Sequence, residues 1–379
     1  MFGLPNTFGD IPSLELEGYT DRCERAVETL AKSCGMPAAR EVDRFRWCRD
    51  RLSKQATTDV PANILGQITQ AVGGIVPLIY EFVLTYSGDG PKGFAYLTEG
   101  RPSASLPDNL AGLLSGTLQM QIEDRGSEDE AAMLADMFRL AFPDIAGLAQ
   151  FSALAQGMVV GVAPAGEQIR LKIYFNTRLD PSGAHHEKVN AMLKRCGLDD
   201  QGMYAALYAD VAGHGNSHFH GVGIDFDGDG SRRAKLYVRV PQTQLLPTLR
   251  GVALRLGSGD DRRAVSSIVE PAQQLMEALD GTAMADQVEL AAALRDDGEP
   301  TLKVTVFYSS AHTEDADTER VAGYLESTGY CADAVREAIS VLGEGHQRAS
   351  AKMHPLHGVG IEVPVGARPK VNIYAQPTI

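Results

Sequence analysis

Polar and apolar residues alternate in a short segment of the chain, 233–239. Its polar positions, each two residues apart, are Arg233, Lys235, Tyr237 and Arg239. Because successive side chains of a β-strand point to opposite faces, this alternation predicts a strand with one apolar face and one face that carries positive charge beside an aromatic ring. Similar alternation recurs in three further segments, 171–176, 302–307 and 370–374. Four strands of one pattern indicate a repeated unit.

Turn residues join the predicted strands in pairs. Clusters of Gly, Pro and Asp separate segments rich in β-branched and aromatic residues, which predicts β-hairpins. Five hairpins are predicted, near 77–99, 158–177, 219–240, 288–310 and 357–376. Residues 1–75 are predicted to form a helical cap or the first helices of the repeat, and other helices are predicted at 128–142, 186–195, 243–256, 264–279, 318–327 and 332–342. Hairpins that recur at roughly 60- to 75-residue intervals between helices predict a repeat architecture.

The repeat is also visible in the residues themselves. The segment 220–225, His-Gly-Val-Gly-Ile-Asp, recurs 137 residues later (220 to 357) as His-Gly-Val-Gly-Ile-Glu at 357–362. The same offset places Arg233 on Lys370 and Tyr237 on Tyr374 without a gap. The polar face of the third hairpin is therefore kept in register in the fifth.

These units predict a closed barrel. Ten antiparallel strands can close on themselves, which removes exposed sheet edges, and helices outside can cover the apolar faces. We therefore expect an α+β protein: a closed ten-stranded antiparallel β-barrel of five α-β-β-α repeats with an outer ring of helices, in a single domain over residues 1–379. A barrel with a solid apolar core is disfavoured, because lysines and arginines would be buried without partners. An open sheet with its polar face in water is the alternative.

Composition narrows the choice of ligand and compartment. The formal net charge of −14 argues against nucleic acid or an anionic membrane as the main partner, so a basic face in this acidic protein predicts an anionic small-molecule ligand. The five cysteines are scattered and lack a CxxC spacing, so neither a disulfide framework nor a zinc site is expected. The absence of a signal-like start and of a long apolar segment favours the cytoplasm.

Two other patterns are weaker. The segment 225–230 has the first letters of a calcium loop, but Leu236 stands where the bidentate glutamate belongs, so an acidic hairpin turn is expected. Gly221 and Gly223 lack the rest of a dinucleotide fingerprint and are expected to allow close packing within a strand. A metal-binding cluster remains a minor alternative for three histidines: His214, His218 and His220.

With these hairpins and motifs, the chain resembles the aromatic prenyltransferases of the ABBA fold, whose barrel is the PT barrel. Within them it resembles the bacterial dimethylallyltryptophan synthases, which are indole prenyltransferases. The resemblance covers most of the chain from about residue 77, and its most specific motif is Arg233-x-Lys235-x-Tyr237, matched by Lys172-x-Tyr174. It implies transfer of a dimethylallyl group from dimethylallyl diphosphate to the indole ring of tryptophan or a derivative, with no metal strictly required, in a monomer or weak homodimer.

The resemblance also implies residue roles. A set of lumen cations would bind the diphosphate: Lys172, Arg233, Lys235, Lys303 and Lys370. A set of tyrosines would shield the allylic carbocation: Tyr174, Tyr237 and Tyr374. Glu81 would be the catalytic residue that accepts a hydrogen bond from the indole N–H.

The chain departs from the family pattern at three places. Ala95 lies where the family usually has an arginine, for which Lys92 or Arg101 is a possible substitute. The segment 158–162 lacks the lysine that some members use as a proton acceptor, which leaves the final base open. The fourth hairpin has Thr305 and Phe307 where a shielding tyrosine is common, followed by Tyr308. A phenolic acceptor, or a non-catalytic barrel that binds a phosphorylated small molecule, is the alternative function.

Overall fold

Ten antiparallel strands close into one barrel. The computed structural model describes residues 19–53, 80–98, 106–150, 157–179, 185–198, 202–212, 217–226, 232–257, 259–280, 284–295, 301–308, 315–344, 354–363 and 368–377. The strands are β1 Tyr80–Ser87, β2 Gly90–Thr98, β3 Met158–Ala165, β4 Gln168–Phe175, β5 His218–Phe226, β6 Arg232–Pro241, β7 Met284–Arg295, β8 Thr301–Tyr308, β9 Leu356–Glu362 and β10 Lys370–Ala375. Each strand pairs with its neighbours in chain order, and β1 pairs with β10 to close the sheet. The predicted ten-stranded barrel is confirmed, and the open sheet is excluded.

Two helices precede each hairpin in the described part of the chain. They are α1 Tyr19–Ser33, α2 Ala38–Ser53, α3 Leu106–Arg125, α4 Glu128–Ala141, α5 His185–Cys196, α6 Met203–Ala212, α7 Leu245–Arg255, α8 Asp260–Ala278, α9 Asp315–Ser327 and α10 Asp333–Gly343. The first helix packs against the last, so the outer layer of helices also closes around the sheet. Eight of these helices agree with the predicted ones, whereas α3 and α6 were not predicted.

The hydrophobic core lies between the sheet and the helices. On β6 the outward residues Ala234, Leu236 and Val238 are fully buried against this layer. Burial of a side chain such as Leu236 or Val238 stabilises the fold by roughly 1.5 to 3 kcal/mol. The alternate positions of the same strand face the barrel interior, so the period-two pattern that predicted the strand also separates the core from the lumen.

Glycines make room for the lumen side chains in the two repeat-related hairpins. A Cβ atom on Gly223 would lie 3.0 Å from ring carbons of both Tyr174 and Tyr237. A Cβ atom on Gly360, the equivalent position, would lie 2.8 Å from Cε of Lys303. A Cβ atom on Gly221 would collide with the backbone oxygen of Phe175, so the interpretation of Gly221 and Gly223 as sites of close packing is confirmed.

Each of these hairpins also contains a β-bulge at its histidine. The register shifts between Phe219 and Gly221 on β5, which leaves His220 without a position in the ladder. The equivalent shift on β9 leaves out His357. A bulge inserts one residue into a strand and redirects the side chain at that point.

No helix among the described residues combines the length and apolar character that a bilayer crossing requires. The extent of the domain, 1–379, stays a prediction.

Candidate active site

The two ends of the barrel differ in their connections. All five hairpin turns lie at one end, called here the turn end, and the helical connections enter at the other, called the helix end. Arg233 lies near the turn end of β6, and Tyr237 lies four residues closer to the helix end. At a strand rise of about 3.3 Å per residue, the two are separated by about 13 Å along the strand. The lumen can therefore present different chemistry along its length.

Near the turn end, charged residues form two rows across the barrel wall. In the first row, Lys172 pairs in register with Asp225, which pairs with Arg233. The second row has the same order of charges on the opposite side of the barrel: Lys303, Glu362 and Lys370. Each row thus places a carboxylate between two cations.

The carboxylates in these rows bind the neighbouring cations. Arg233 donates to Asp225 through Nε at 3.0 Å and also through its NH2 group, and Lys235 Nζ lies 2.9 Å from Asp225 Oδ2. Lys370 Nζ lies 3.4 Å from Glu362 Oε2. The guanidinium of Arg233 also lies 3.6 Å from Glu362 Oε1, which joins the two rows across the lumen.

These contacts keep both acids charged. Burial alone would raise the pKa of Asp225, but Arg233, Lys235 and Lys172 hold it far below its ordinary value. Burial would likewise raise the pKa of Glu362, but Lys370 and Arg233 lower it to about 2. The same carboxylates raise the pKa of Arg233, against the effect of its burial. Asp225, Glu362 and Arg233 are therefore all charged.

Three lysines of the lumen are destabilised as cations. Burial lowers the pKa of Lys172 to about 8, although Asp225 opposes the effect. Burial also lowers the pKa of Lys303 to about 8, against the attraction of Glu289 and Glu362. The pKa of Lys235 is lowered well below its ordinary value by burial and then by Arg233. An anion bound beside these groups would favour their charged forms.

The predicted shielding tyrosines lie in the middle of the lumen. The rings of Tyr174 and Tyr237 meet at 5.5 Å between centroids with an interplanar angle of 62°. Lys303 donates to the Tyr374 hydroxyl, with its nitrogen 4.6 Å from the centroid of that ring. Burial raises the pKa of Tyr174 and of Tyr237, so both phenols are neutral. Aromatic faces therefore lie between the charged rows and the helix end.

Glu81 lies at the helix end of the lumen. Its Oε1 is in hydrogen-bonding contact with Nδ1 of His357, and the amide nitrogen of Gln376 lies 3.3 Å from that same ring atom. The rings of His357 and Phe307 lie 5.4 Å apart. Arg239 covers Phe307, with 4.5 Å from its Cζ to the ring centroid, and forms an ion pair with Glu289 at 3.2 Å.

The lumen side of the first two hairpins is apolar. One buried cluster joins residues of β1, β2 and β3: Val83, Ala95, Leu97 and Ala163. Val159, Tyr174 and Tyr374 pack against it. Ala95 thus faces the lumen, as the departure from the family pattern implied. Lys92 is exposed beside the hairpin turn and does not replace an arginine there, and Arg101 lies outside the described residues. An aromatic ring could pack on this wall.

The fourth hairpin differs from the family pattern in the lumen itself. Thr305 is buried and pairs in register with Glu289 and Gly360, both lumen positions. Tyr308 belongs to the outer core and does not contribute to the lumen. The aromatic group of this hairpin inside the barrel is therefore Phe307.

Some of these residues were missed by sequence reasoning. The acids Asp225, Glu289 and Glu362 were not predicted as site residues, nor was His357. The sequence repeat could have indicated Asp225, Glu362 and His357, because the repeated segment begins with a histidine and ends with an acid in both copies. No comparable repeat indicated Glu289.

The weaker metal hypotheses gain no support. Within the described ranges, no group of three or more His, Cys, Asp and Glu side chains is arranged to hold a metal ion. His214 and the turn 227–231 lie outside those ranges.

Comparisons with solved structures identify the fold. No family model and no curated protein sequence matches the chain. The 5-dimethylallyltryptophan synthase from Streptomyces coelicolor is similar over 94% of this chain and 96% of its own, with a TM-score of 0.64 and 16% identity. The 6-dimethylallyltryptophan synthase from Micromonospora olivasterospora, determined in complex with DMASPP and Trp, covers 94% of this chain and 97% of its own at a TM-score of 0.62 and 15% identity.

A third similar structure is AnaPT from Neosartorya fischeri, with a TM-score of 0.67, 13% identity and coverage of 97% of this chain and 95% of its own. The chain therefore has the PT-barrel fold of the ABBA prenyltransferases.

Proposed function

We propose that this protein is an aromatic prenyltransferase that moves a dimethylallyl group from dimethylallyl diphosphate to the indole ring of tryptophan or a derivative. The observation that carries the proposal is the division of the lumen into three parts. Cations lie toward the turn end, tyrosine rings lie in the middle, and a carboxylate lies at the helix end. Two of the similar structures are dimethylallyltryptophan synthases in complex with DMASPP and Trp.

The cationic part suits a diphosphate leaving group. When the C–O bond of the donor breaks, its electron pair stays on the diphosphate oxygen. Lys172, Lys235 and Lys303 are placed to stabilise that developing charge, with Arg233 and Lys370 in the same rows. Fixed charges act more strongly in a buried lumen than in water, because the effective dielectric constant is lower.

The aromatic part suits the allylic carbocation. The faces of Tyr174, Tyr237 and Tyr374 would each stabilise the cation by roughly 0.5 to 2 kcal/mol. They would also exclude water, which otherwise converts the cation to an alcohol. Phe307 contributes an aromatic ring on the fourth hairpin, nearer to the helix end.

The helix end suits the acceptor. The ring would lie on the apolar wall of β1 to β3, and Glu81 would accept a hydrogen bond from the indole N–H. This raises electron density on the ring as a ring carbon attacks the cation. A C–C bond forms, and a general base then takes the proton from that carbon, so that the C–H electron pair restores the aromatic ring.

The test is a product assay. The protein is incubated with dimethylallyl diphosphate and tryptophan in excess EDTA, and mass spectrometry is used to look for one added prenyl group. Indole derivatives and phenols are assayed in parallel. A prenylated indole supports the proposal, and exclusive turnover of phenols would assign the phenolic alternative.

Donor binding is measured separately by calorimetry with inorganic diphosphate. Diphosphate binding without a product from any acceptor would favour a non-catalytic barrel. Loss of turnover in EDTA would overturn the expectation that no metal is required. Lys303→Met should weaken diphosphate binding, and Lys92→Met, which changes an exposed lysine beside a hairpin turn, is the matched control.

A further inference from the structure

Glu81 and His357 form a contact between strands that are not neighbours in the sheet. Glu81 belongs to β1 and His357 to β9, with β10 between them. Nδ1 of His357 is nevertheless in hydrogen-bonding contact with Glu81 Oε1. The two side chains are 19% and 31% exposed, which places the pair at the accessible helix end of the lumen.

The β-bulge explains how His357 reaches the lumen. Residues 359 and 361 of β9 face the outer core and are fully buried there. In a regular strand, residue 357 would share that face, because it lies two residues before 359. The bulge inserts one residue, so that Leu356 packs in the outer core and His357 is directed towards Glu81 and Phe307. The bulge therefore has a definite consequence for this one side chain.

The contact gives the two oxygen atoms of the Glu81 carboxylate different partners. A carboxylate has two oxygen atoms, each able to accept hydrogen bonds. When Nδ1–H of His357 donates to Oε1, the plane of the carboxylate is set and Oε2 is directed to another donor. Leu97 lies opposite Glu81 in the ladder of β1 and β2 and belongs to the apolar wall. A donor group on an aromatic ring that packs on this wall is the chemistry that Oε2 would meet.

We propose that His357 is a positioning residue for Glu81, which holds one carboxylate oxygen and presents the other to an N–H or O–H group of the aromatic acceptor. The identity of the acceptor rests on the proposed function, whereas the pair itself does not. The repeat-related residue His220 occupies the equivalent bulge on β5 and provides an internal comparison.

Other charged groups face this pair and must be included in any titration. Lys303 on β8 interacts electrostatically with Glu81. Arg239 on β6 and Glu289 on β7 form an ion pair beside Phe307, whose ring contacts His357. Gln376, after β10, is neutral. The quantity to compare is therefore the difference in the His357 titration midpoint between two variants, and not its absolute value.

The first experiment requires no turnover. The ring protons of His357 are followed by NMR as a function of pH in the wild type and in Glu81→Gln. A neighbouring carboxylate favours the charged imidazole, so the titration midpoint of His357 should be lower in Glu81→Gln. Equal midpoints in the two proteins would overturn the pairing, whether or not the protein proves to be a prenyltransferase.

The second experiment tests the role in catalysis. His357→Leu should lower kcat/KM for the acceptor by roughly 10- to 100-fold, because a misplaced carboxylate no longer meets the donor group, and diphosphate affinity should not change. His357→Asn keeps a nitrogen donor near the position of Nδ1 and should retain most of the activity. An unchanged kcat/KM in His357→Leu, or an equal loss in His357→Asn, would overturn the positioning role.

His220→Leu is the matched control, since it makes the same change at the equivalent bulge on β5. It should keep kcat/KM close to the wild-type value. A comparable loss in His220→Leu would assign the effect to the bulges and overturn the inference. If the wild type turns over no aromatic acceptor, the proposed function fails, and the titration still decides whether the pair exists.

Discussion

Asp225→Asn separates two effects of the buried carboxylate in the lumen. In the wild type, Asp225 is fully buried and is bound by Arg233 and Lys235. Breaking one side of a buried ion pair typically costs roughly 3 to 5 kcal/mol, because the partner charge is left uncompensated. The variant should therefore be less stable to urea by an amount in this range.

The same substitution should strengthen diphosphate binding. Lys235 Nζ lies 2.9 Å from Asp225 Oδ2, and a phosphate oxygen on the other side of the ammonium would lie about 2.8 Å away. The centres of negative charge are then roughly 6 to 8 Å apart. At an effective dielectric constant of about 20, two unit charges about 8 Å apart repel by about 2 kcal/mol. Removal of this repulsion corresponds to a Kd lower by roughly 30-fold.

The assay is calorimetry with inorganic diphosphate at about pH 6.5, because low pH favours the charged forms of lysines whose pKa values are lowered by burial. Asp43→Asn is the control, because the Asp43 side chain is 74% exposed and forms its ion pair on the surface, with Arg46. It should change neither stability nor affinity measurably. Weaker diphosphate binding in Asp225→Asn would refute the reasoning, because Asp225 would then organise the cations and not compete with the ligand.

Four further outcomes are expected. Diphosphate affinity measured by calorimetry at constant ionic strength should fall as pH rises through about 8, because Lys172 and Lys303, whose pKa values are lowered to about 8, lose their protons; constant affinity up to pH 9 would exclude them as ligands. The pKa of Glu362 is lowered from 4.5 to about 2. Its ionised form should therefore contribute about 3 kcal/mol to the free energy of unfolding above pH 4.5, and this contribution is lost as pH falls towards 2. The difference in urea stability between Glu362→Gln and the wild type should shrink over that interval. Tyr237→Leu should lower kcat by roughly 2- to 30-fold and release more dimethylallyl alcohol, whereas Tyr237→Phe should do neither. Glu81→Ala should reduce indole turnover far more than diphosphate affinity in the same assays, and an equal loss of both would count against its role with the acceptor.

The sheet could be predicted from the sequence because its signal is local. Alternation at positions such as 233–239 sets a strand and its two faces, and Gly- and Pro-rich turns set the hairpins. Closure followed from the number of hairpins and from the need to cover sheet edges. The repeat offset of 137 residues (220 to 357) then placed Arg233 and Lys370 on equivalent lumen positions, as the register confirms.

Helices without a polar face could not be predicted in this way. In α3, buried residues lie on most sides, from Leu110 and Leu114 to Gln121. Such a helix has no apolar stripe at a period of 3.6 residues, and the periodicity method depends on that stripe. The helix α6 has only ten residues and is similarly apolar, so its pattern is too short to distinguish a helix from a buried strand.

Contacts across the lumen depend on the closed barrel and were therefore missed. Glu362 meets Arg233 although three strand pairings separate β6 from β9. Glu81 meets His357 only because a bulge alters the alternation in β9. A period-two pattern assigns residue 357 to the outer face, so it predicts the opposite orientation for the side chain that contacts Glu81.

Acids within an anion-binding site have a physical reason in this barrel. A buried lysine or arginine without a counter-charge would oppose folding before the ligand arrives, because its desolvation is not repaid. Asp225 and Glu362 supply that counter-charge in the two rows, and Glu289 supplies it to Arg239. When the donor binds, its diphosphate then competes with these carboxylates for cations that are already positioned. The carboxylates thus stabilise the ligand-free barrel and weaken donor binding. Asp225→Asn measures both effects, the first as stability to urea and the second as diphosphate affinity.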